Sequence, residues 1–426
     1  MRFQDIGLSN EVLATIDSLK FVAPTNIQKK MLPLMFKGQN VIVSANTGTG
    51  KTVGYLLTIL SKINPTINKT QAIIIVPTRE LAVQIYNVSQ KFIKNNPNLK
   101  IANLIGGQDL EQQKQKFSTN YPHLVIGTPT RLKRMIDEQV LALITSKMVV
   151  LDEVDMIFDL DFVNEVDFLL SKLVSNTQFM VFSATINNEL QNFLKKYLKN
   201  TIILDLSDYK IQTNIEHFLV KTRYRNRIEI LKNLLMTMDP FLCLIFVNKK
   251  ENMDQALDLL QEQNIKVGQI HSSLKSRERI KMLKRINSLE FKFVVCSDIA
   301  SRGIDLPGVS HVISLNLPYD LTYYFHRAGR TGRGKYHGYS YLFYDSSDKK
   351  GIAYLTKKGI NFTLWNEKVK KSAKKVIKNI PKESVNDLQK VISNYHSRPI
   401  KPGYKKQRKE DVKKVIQKYR KKNFKK

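Results

Sequence analysis

The chain has 426 residues, of which 42% are hydrophobic, and its 69 Lys and Arg against 37 Asp and Glu give a formal net charge of +32. An ordinary hydrophobic fraction at this length predicts two or three globular domains and excludes a chain that is disordered throughout. So large a positive charge favours a polyanionic partner, with nucleic acid the first candidate and an anionic membrane surface the second.

The sequence also indicates the cellular compartment of the protein. No apolar run approaches the roughly 18 residues of a membrane-spanning helix. The first residues, Met1 to Asp5, lack the apolar stretch of a secretion signal. Cys243 and Cys296 lie inside apolar runs without a C-x-x-C partner, as is typical of reduced, buried cysteines. We therefore expect a cytoplasmic protein.

Short β-branched runs alternate with longer helical patterns along most of the chain. The runs in the first half are Val41–Val43, Ala72–Val76, Ile101–Ile105, Leu124–Ile126, Met148–Leu151, Phe179–Phe182 and Ile202–Leu206. Those in the second half are Phe241–Val247, Lys266–Ile270, Phe291–Cys296, Val312–Leu317 and Tyr339–Phe343. Such apolar runs are typical of strands buried on both faces, so each half predicts a parallel sheet covered by helices.

The predicted fold class is therefore α/β, with two tandem domains. We place the N-terminal domain at residues 1–206, a linker at 207–212, the C-terminal domain at 213–365 and a basic extension at 366–426. In parallel sheets, ligands bind beyond the carboxyl ends of the strands. The residues that follow each run are therefore the candidate functional residues.

A glycine-rich loop follows the first run and precedes an apolar helical segment. It fits the phosphate-binding pattern G-x-x-x-x-G-K-[ST], except that its first Gly is replaced. The candidate nucleotide-binding residues are Ala45, Asn46, Thr47, Gly48, Thr49, Gly50, Lys51 and Thr52. Lys51 would contact the β- and γ-phosphates and the Thr52 hydroxyl would bind Mg²⁺. The alternative is an ordinary glycine-rich turn.

An acidic sequence, Asp152-Glu153-Val154-Asp155, follows the run Met148–Leu151. Asp152 would hold Mg²⁺, directly or through water, and Glu153 would orient and deprotonate an attacking water. Taken alone, these residues could equally be ordinary acidic residues of the surface. Their position directly after a buried strand favours a catalytic role.

These spaced motifs resemble the DEAD-box ATP-dependent RNA helicases of superfamily 2, over about residues 3 to 335, with a basic C-terminal tail typical of bacterial members. The resemblance implies two RecA-like domains, ATP and Mg²⁺ as cofactors, and RNA as the partner. The family's loop also begins with Ala, which accounts for Ala45. Val154 departs from the family, which has Ala at that position.

An element upstream of the loop resembles the family's Q motif, which implies adenine recognition. Its candidate residues are Phe3, Phe21, Thr25 and Gln28. An aromatic ring would stack on the base, and the Gln28 amide offers the adenine edge both a donor and an acceptor. Lys20 stands where the family usually has Gly. The alternative is that both phenylalanines are core residues.

Three further motifs in the first domain resemble those that bind the RNA backbone in the family. Each offers a helix start, a hydroxyl or a guanidinium to a phosphate. Their residues are Pro77, Thr78, Arg79, Gly106, Gly107, Thr128, Pro129 and Arg131. Ser183-Ala184-Thr185 resembles the coupling motif, in which Ser183 and Thr185 would hydrogen-bond the carboxylates of the acidic sequence, Asp155 among them.

The second domain carries the remaining motifs. The resemblance implies RNA or interdomain contacts for Arg279, Ser297, Arg302 and Gly303, ribose binding for Asp305, coupling to the metal site for His326 and Arg327, and transition-state stabilisation for Arg330 and Arg333. Ser272 and Ser276 replace the family's usual Gly and Gln. The alternative for the arginine-rich segment is a solvated basic loop.

The extension has 22 Lys and Arg against 5 Asp and Glu, a net charge of +17. Aromatic residues that could stack on bases lie among the lysines: Tyr395, Tyr404, Tyr419 and Phe424. We expect a partly disordered RNA-binding tail rather than a solvated extension.

The predicted activity is RNA-stimulated ATP hydrolysis that separates short RNA duplexes and remodels RNA or ribonucleoprotein, without sequence specificity in the core. The nucleotide residues are divided between the domains, so ATP and RNA would favour a closed state. An ATP-gated RNA clamp with little unwinding is the first alternative, and a DNA helicase the second. We expect a monomeric core without membrane association, and ribosomal or RNA-decay assemblies as partners.

Overall fold

The computed structural model describes residues 2–45, 49–107, 109–119, 121–186, 188–206, 214–271, 273–274, 276–298, 306, 308–332 and 336–365. By internal contacts the chain divides into two compact units, Met1–Asp208 and Tyr209–Lys426. The predicted linker, 207–212, and the predicted tail, 366–426, lie outside the described residues.

Unit 1 contains a seven-stranded parallel sheet with the strand order β3-β4-β2-β5-β6-β1-β7. Its strands are β1 Asn40–Ser44, β2 Ala72–Ile75, β3 Ile101–Leu104, β4 Leu124–Gly127, β5 Met148–Leu151, β6 Gln178–Ser183 and β7 Thr201–Asp205. Its α-helices are α1 Asn10–Ser18, α2 Asn26–Phe36, α3 Lys51–Lys62, α4 Arg79–Phe92, α5 Leu110–Thr119, α6 Pro129–Asp137, α7 Val154–Asp159, α8 Val163–Ser171 and α9 Asn188–Lys195.

Alternate side chains of each central strand enter cores on opposite faces of this sheet. In β2, Ala72 and Ile74 belong to one core, and Ile73 and Ile75 belong to the other. A strand covered on both faces needs apolar residues at every position, which explains the uninterrupted runs in the sequence.

Unit 2 contains a second seven-stranded parallel sheet, ordered β10-β11-β9-β12-β13-β8-β14. Its strands are β8 Ile215–Lys221, β9 Cys243–Phe246, β10 Val267–Ile270, β11 Phe293–Cys296, β12 His311–Ser314, β13 Gly338–Tyr344 and β14 Phe362–Leu364. Its α-helices, numbered in order along the described residues, are α10 Arg227–Leu235, α11 Lys250–Glu262, α12 Ser276–Asn287, α13 Thr322–Ala328 and α14 Lys349–Lys357.

The predicted α/β class and the two parallel sheets are confirmed. Two strands, β8 and β14, were not predicted. β8 reads Ile-Glu-His-Phe-Leu-Val-Lys, and its polar residues interrupt the apolar pattern, while β14 has only three residues. Among the described residues, no helix is long and apolar enough to cross a membrane.

Candidate functional site

The strand order sorts the motifs of unit 1 into two neighbouring groups. The phosphate loop, the acidic sequence and the coupling motif follow β1, β5 and β6, which are adjacent in the sheet. The three predicted backbone-binding motifs follow β2, β3 and β4, which are also adjacent. Because the strands are parallel, all six motifs lie at the edge of the sheet formed by the carboxyl ends of its strands. Each group occupies one half of that edge.

The phosphate loop ends on Gly50, the residue directly before helix α3. Gly50 has φ +98°, a left-handed conformation that other residues seldom adopt. Lys51 follows it as the first residue of the helix, is buried, and donates from Nζ to the Ala45 carbonyl oxygen at 2.7 Å. The lysine ammonium is thus held against Ala45, the first residue of the candidate phosphate loop. Asn46, Thr47 and Gly48 lie outside the described residues.

Asp152 is a buried carboxylate with a fixed donor on each oxygen. The Tyr55 hydroxyl donates to Oδ2 at 2.9 Å, and the Glu153 backbone N–H donates to Oδ1 at 3.0 Å. Burial raises the pKa of Asp152 to about 6, although the positive charge of Lys51 opposes this shift. The lysine and the carboxylate are therefore electrostatic neighbours in unit 1.

Glu153 has φ 54° and ψ 51°, so a residue with a side chain occupies the left-handed region directly before α7. Backbone conformations of this kind cost about 1–3 kcal/mol and are concentrated at functional sites. The next residue, Val154, is fully buried in the core. Its departure from the family's Ala therefore affects packing and adds no polar group to the site.

The residues predicted to bind Mg²⁺ offer the oxygen donors that this ion prefers. Thr52 supplies a hydroxyl and Asp152 a carboxylate, and Mg²⁺ commonly takes one or two such protein ligands together with phosphate and water. The Tyr55 hydroxyl interacts with both residues. Burial, and then the negative charge of Asp152, raise the pKa of Tyr55 well above its usual range, while a hydrogen bond with Thr52 opposes that shift. The donor set fits Mg²⁺.

The coupling motif contacts the acidic sequence through a backbone group. The Asp155 N–H donates to Ser183 Oγ at 3.3 Å, and the Ser183 hydroxyl donates to the Thr185 carbonyl oxygen at 2.6 Å. The Ser183 hydroxyl thus donates its proton to a carbonyl oxygen, while the predicted hydrogen bond of the Thr185 hydroxyl to a carboxylate stays a prediction. Ser183 ends β6 next to β5, where its short side chain reaches the first amides of α7.

The predicted adenine-recognition element is bonded directly to the phosphate loop. Gln28 Nε2 donates to the Gly50 carbonyl oxygen at 3.0 Å, and Thr25 Oγ1 donates to the Thr49 carbonyl oxygen at 3.0 Å. Gln28 Oε1 accepts the Thr25 N–H at 2.9 Å. An amide offers two N–H groups and two acceptor lone pairs, so one of each is left after these contacts for a base.

The aromatic residues of this element have different surroundings. Phe3 is only 3% exposed and packs in the core, and its predicted contact with a base stays a prediction. Phe21 is half-buried and is the more exposed of the two candidates for stacking. Lys20 has φ 59°, the left-handed conformation for which the family's Gly is better suited.

The predicted backbone-binding motifs form a basic cluster beyond β2, β3 and β4. A Cβ on Gly106 would lie 2.6 Å from an Arg79 guanidinium nitrogen, so the Arg79 side chain fills the space beside this glycine. Arg131 NH1 donates to Gln113 Oε1 at 3.0 Å. Burial lowers the pKa of Arg131, and the nearby charges of Arg134 and Arg79 add to the effect.

The other residues of these motifs shape the helix starts. Thr78 caps α4 by accepting the Leu81 N–H at 3.3 Å, directly after Pro77, and Thr128 precedes α6, in which Pro129 is the first residue. Gly107 follows Gly106 and has φ 82°.

In unit 2, Arg327 binds residues that follow three neighbouring strands of the sheet, β9, β11 and β12. Its side chain is 1% exposed and binds both oxygens of Asp298 at 2.5 Å, the Asn248 amide oxygen at 2.7 Å and the Asn316 carbonyl oxygen at 2.7 Å. The guanidinium also lies 5.3 Å from the centre of the Phe246 ring. These contacts lie within unit 2, and the predicted coupling of Arg327 to the metal site stays a prediction.

The remaining predicted residues of unit 2 are only partly described. Arg330 is buried, while His326 and Arg279 are half-buried. Ser297 Oγ is buried without a hydrogen-bond partner among the described residues. The predictions for Arg302, Gly303, Asp305, Arg333 and Ser272 lie outside the described residues, as does the side chain of Ser276.

Two residues that form hydrogen bonds with predicted site residues, Tyr55 and Gln113, were not predicted from the sequence. Tyr55 lies four residues after Lys51, on the same face of α3, and carries the one hydroxyl of an otherwise apolar stretch from Val53 to Leu57. A polar atom at that position could have identified it. Gln113 lies in a polar helix, where nothing in the sequence distinguishes it.

Comparison with known proteins agrees with this arrangement. A family model described as "DEAD/DEAH box helicase" matches residues 25–193, and one described as "Helicase conserved C-terminal domain" matches residues 226–335. The chain is 38% identical over 363 residues to the DEAD-box ATP-dependent RNA helicase CshB of Listeria monocytogenes, covering 85% of this chain and 83% of the relative. Its identity to CshB of Bacillus subtilis is 35%, covering 100% and 99%.

The chain therefore belongs to the DEAD-box ATP-dependent RNA helicases, a family of ATP-hydrolysing enzymes. Among solved structures, S. cerevisiae Dbp5 bound to RNA and ADP BeF3 matches with a TM-score of 0.79 and 27% identity, covering 88% of this chain and 99% of that one.

Proposed function

We propose that this protein hydrolyses ATP when RNA is bound and uses the cycle to separate short RNA duplexes locally. The observation that carries the proposal is the buried Asp152 beside Lys51, at the same sheet edge as the cluster of Arg79, Gly106 and Arg131. A nucleotide site and a polyanion site in one unit are what coupled hydrolysis and RNA binding require.

Within unit 1, Lys51 binds the β- and γ-phosphates and Glu153 orients and deprotonates the attacking water. Thr52 and Asp152 hold Mg²⁺, which when bound would neutralise charge on the phosphates. Gln28 reads the adenine edge with its remaining donor and acceptor, and Phe21 stacks on the base. The Ser183 contact with the Asp155 amide links the coupling motif to these residues.

Unit 2 supplies the remaining groups of the reaction. Arg330 and Arg333 stabilise the charge that develops on the γ-phosphoryl group, and Asp305 binds the ribose hydroxyls. An arginine in this role contributes a factor of about 10³–10⁵ in rate. His326 and Arg327 connect unit 2 to the metal site, and Arg279, Ser297, Arg302 and Gly303 contact RNA.

RNA binding by the core is independent of sequence, because contacts with phosphate and sugar position a strand without reading its bases. The 2′-hydroxyl distinguishes RNA from DNA. Residues 366–426 add a second, electrostatic contact with RNA. The protein acts in the cytoplasm as a monomer, on ribosomal or RNA-decay assemblies.

The test compares phosphate release by the full chain with single-stranded RNA, with DNA of the same sequence and with neither. Strand separation is followed in parallel on a short labelled RNA duplex. We expect RNA alone to stimulate hydrolysis, and the duplex to separate only with ATP. Glu153→Gln should lower the stimulated rate by at least about 10²-fold while RNA binding persists. Glu189→Gln, an exposed site on α9, is the matched control.

Each contrary result has its own meaning. Equal stimulation by DNA would replace the proposal with a DNA helicase. ATP-dependent RNA binding without strand separation would replace it with an RNA clamp. Wild-type hydrolysis by Glu153→Gln would remove that residue from the catalytic site.

A further inference from the structure

Tyr55 is a fully buried residue of α3 that packs like a core aromatic but carries a polar group. Its ring lies 5.2 Å from that of Phe182, at an interplanar angle of 45°. Both rings belong to the apolar core that covers one face of the unit 1 sheet. Packing alone would be served equally well by Phe, so the hydroxyl needs a separate explanation.

That hydroxyl donates to Asp152 Oδ2 at 2.9 Å, while the Glu153 N–H donates to Oδ1 at 3.0 Å. One donor on each oxygen, one from a helix and one from the backbone beyond a strand, fixes the plane of the carboxylate. Each oxygen accepts a second interaction, so one lone pair on each is still open to a ligand. Those lone pairs keep a constant direction because the two donors are rigid.

We infer that Tyr55 is a positioning residue, which orients the Asp152 carboxylate for the Mg²⁺ of the bound nucleotide. The inference rests on the proposed function, in which Asp152 and Thr52 hold that ion. Tyr55 lies one turn beyond Thr52 on the same helix, so one rigid element carries a metal-binding hydroxyl and the group that aligns the metal-binding carboxylate.

The first test uses Tyr55→Phe, which keeps the ring and removes the hydroxyl. A fluorescent ADP analogue is titrated with the full chain at a series of Mg²⁺ concentrations. We expect the Mg²⁺ concentration at half-maximal binding to rise about tenfold or more, since a hydrogen bond to a charged group is worth at least about that factor. Binding of the analogue without Mg²⁺ should not change.

Tyr197→Phe is the matched control. The Tyr197 hydroxyl also donates to a carboxylate of unit 1, Asp167 Oδ1, at 2.7 Å, but on the opposite face of the sheet. The two variants lose the same chemical group, and a general loss of stability would affect both. We expect the Mg²⁺ dependence of Tyr197→Phe to equal that of the wild type.

A second measurement keeps the hydroxyl and does not depend on the stability of a variant. Tyr55 alone is replaced by 3-fluorotyrosine and its ¹⁹F resonance is followed. We expect the resonance to shift when Mg²⁺ is added to the ADP complex, and not when Mg²⁺ is added to the free protein.

Three results would overturn the inference. They are a wild-type Mg²⁺ dependence in folded Tyr55→Phe, an equal change of the Mg²⁺ dependence in Tyr197→Phe, and a ¹⁹F resonance of the ADP complex that does not shift with Mg²⁺. A wild-type chain whose nucleotide binding is indifferent to Mg²⁺ would instead overturn the proposed function. The two failures are thus distinguishable.

Discussion

The side-chain amide of Gln28 donates to the carbonyl oxygen of Gly50 at 3.0 Å. This hydrogen bond joins the predicted base-recognition element to the last residue of the phosphate loop. At φ +98° any other residue at position 50 would be strained, and its Cβ would lie 2.9 Å from the same amide nitrogen. Recognition of the base and the shape of the loop are therefore physically linked.

The first prediction concerns this link. Gln28→Met keeps the length of the side chain and removes its amide, so the variant can neither bind the base edge nor support the loop. We expect the affinity for ATP to fall about tenfold, consistent with one or two hydrogen bonds, and the preference for ATP over GTP to disappear. Binding of fluorescent ATP and GTP measures both quantities.

Gln178→Met is the control for that measurement. Gln178 is another buried glutamine of unit 1, and its Nε2 donates to the Met35 and Gln39 carbonyl oxygens. Its replacement should lower stability without altering the choice of nucleotide. An unchanged ATP to GTP ratio in Gln28→Met would contradict the assignment.

The second prediction concerns the basic cluster. Arg79→Ala and Arg131→Ala should each weaken RNA binding to a similar extent for all sequences and reduce the slope of log K against log salt by about 1, as expected when one phosphate is no longer neutralised. Arg134→Ala is the control, because Arg134 lies on the same helix as Arg131 but its side chain is 62% exposed and pairs with Glu138. A reduction in affinity confined to one RNA sequence would contradict backbone binding.

Patterns of apolar residues were sufficient to predict the sheets, because a strand buried on both faces tolerates few polar residues. Strand β8 shows the limit of that argument, since Glu216 and His217 break the pattern while the strand still pairs with β13 and β14. Its place in the sheet depends on pairing with strands more than 100 residues away. Such pairing leaves no local mark in the sequence.

The site could be predicted to the level of its motifs, but not to the contacts between side chains. Phe3 fitted a base-stacking residue equally well in the sequence, and only its burial assigns it to the core. Tyr55 fitted a core residue, and only the 2.9 Å distance to Asp152 gives its hydroxyl a role. Motif spacing predicts which strand a residue follows, whereas packing determines where its side chain points.

The third prediction concerns Arg327. Removing the buried guanidinium takes two hydrogen bonds from Asp298 and one from Asn248, so Arg327→Ala should lower the free energy of unfolding by about 3–5 kcal/mol. Arg327→Lys should recover little, since an ammonium lacks the fork that binds both carboxylate oxygens. Lys292→Ala, which breaks an exposed ion pair with Asp239, should cost less than about 1 kcal/mol. Urea unfolding measures all three, and equal destabilisation would contradict the prediction.

The fourth prediction concerns His217, whose Nδ1 lies 2.7 Å from the Tyr324 hydroxyl. Burial lowers the pKa of His217 from 6.5 to about 4. The folded state therefore holds the neutral ring, and its contribution to stability is complete above pH 6.5 and lost as the pH falls towards about 4. Each such histidine adds a slope of up to about 1.4 kcal/mol per pH unit in that window.

His217→Phe should make the free energy of unfolding less dependent on pH, by the contribution of one histidine. Urea unfolding between neutral pH and pH 4 measures this dependence. The ring would still pack near Tyr324 and Phe362. Burial also lowers the pKa of His311 to about 4, so His311 should contribute a similar share. A variant with the wild-type slope would show that His217 is not the group that titrates.

The fifth prediction concerns residues 366–426, whose net charge of +17 is more than half of the chain's +32. Deleting them should weaken RNA binding and reduce its salt slope by several units, because each phosphate that the protein neutralises adds about 0.7–0.9 to that slope. RNA-stimulated hydrolysis at saturating RNA should keep its rate, since all the proposed catalytic groups precede residue 366. Replacing Tyr395, Tyr404, Tyr419 and Phe424 with Leu in the full chain is the informative control. It keeps the charge, so the salt slope should persist while stacking on bases is abolished and the affinity falls. An unchanged slope after deletion would mean that the positive charge of this segment does not contact RNA.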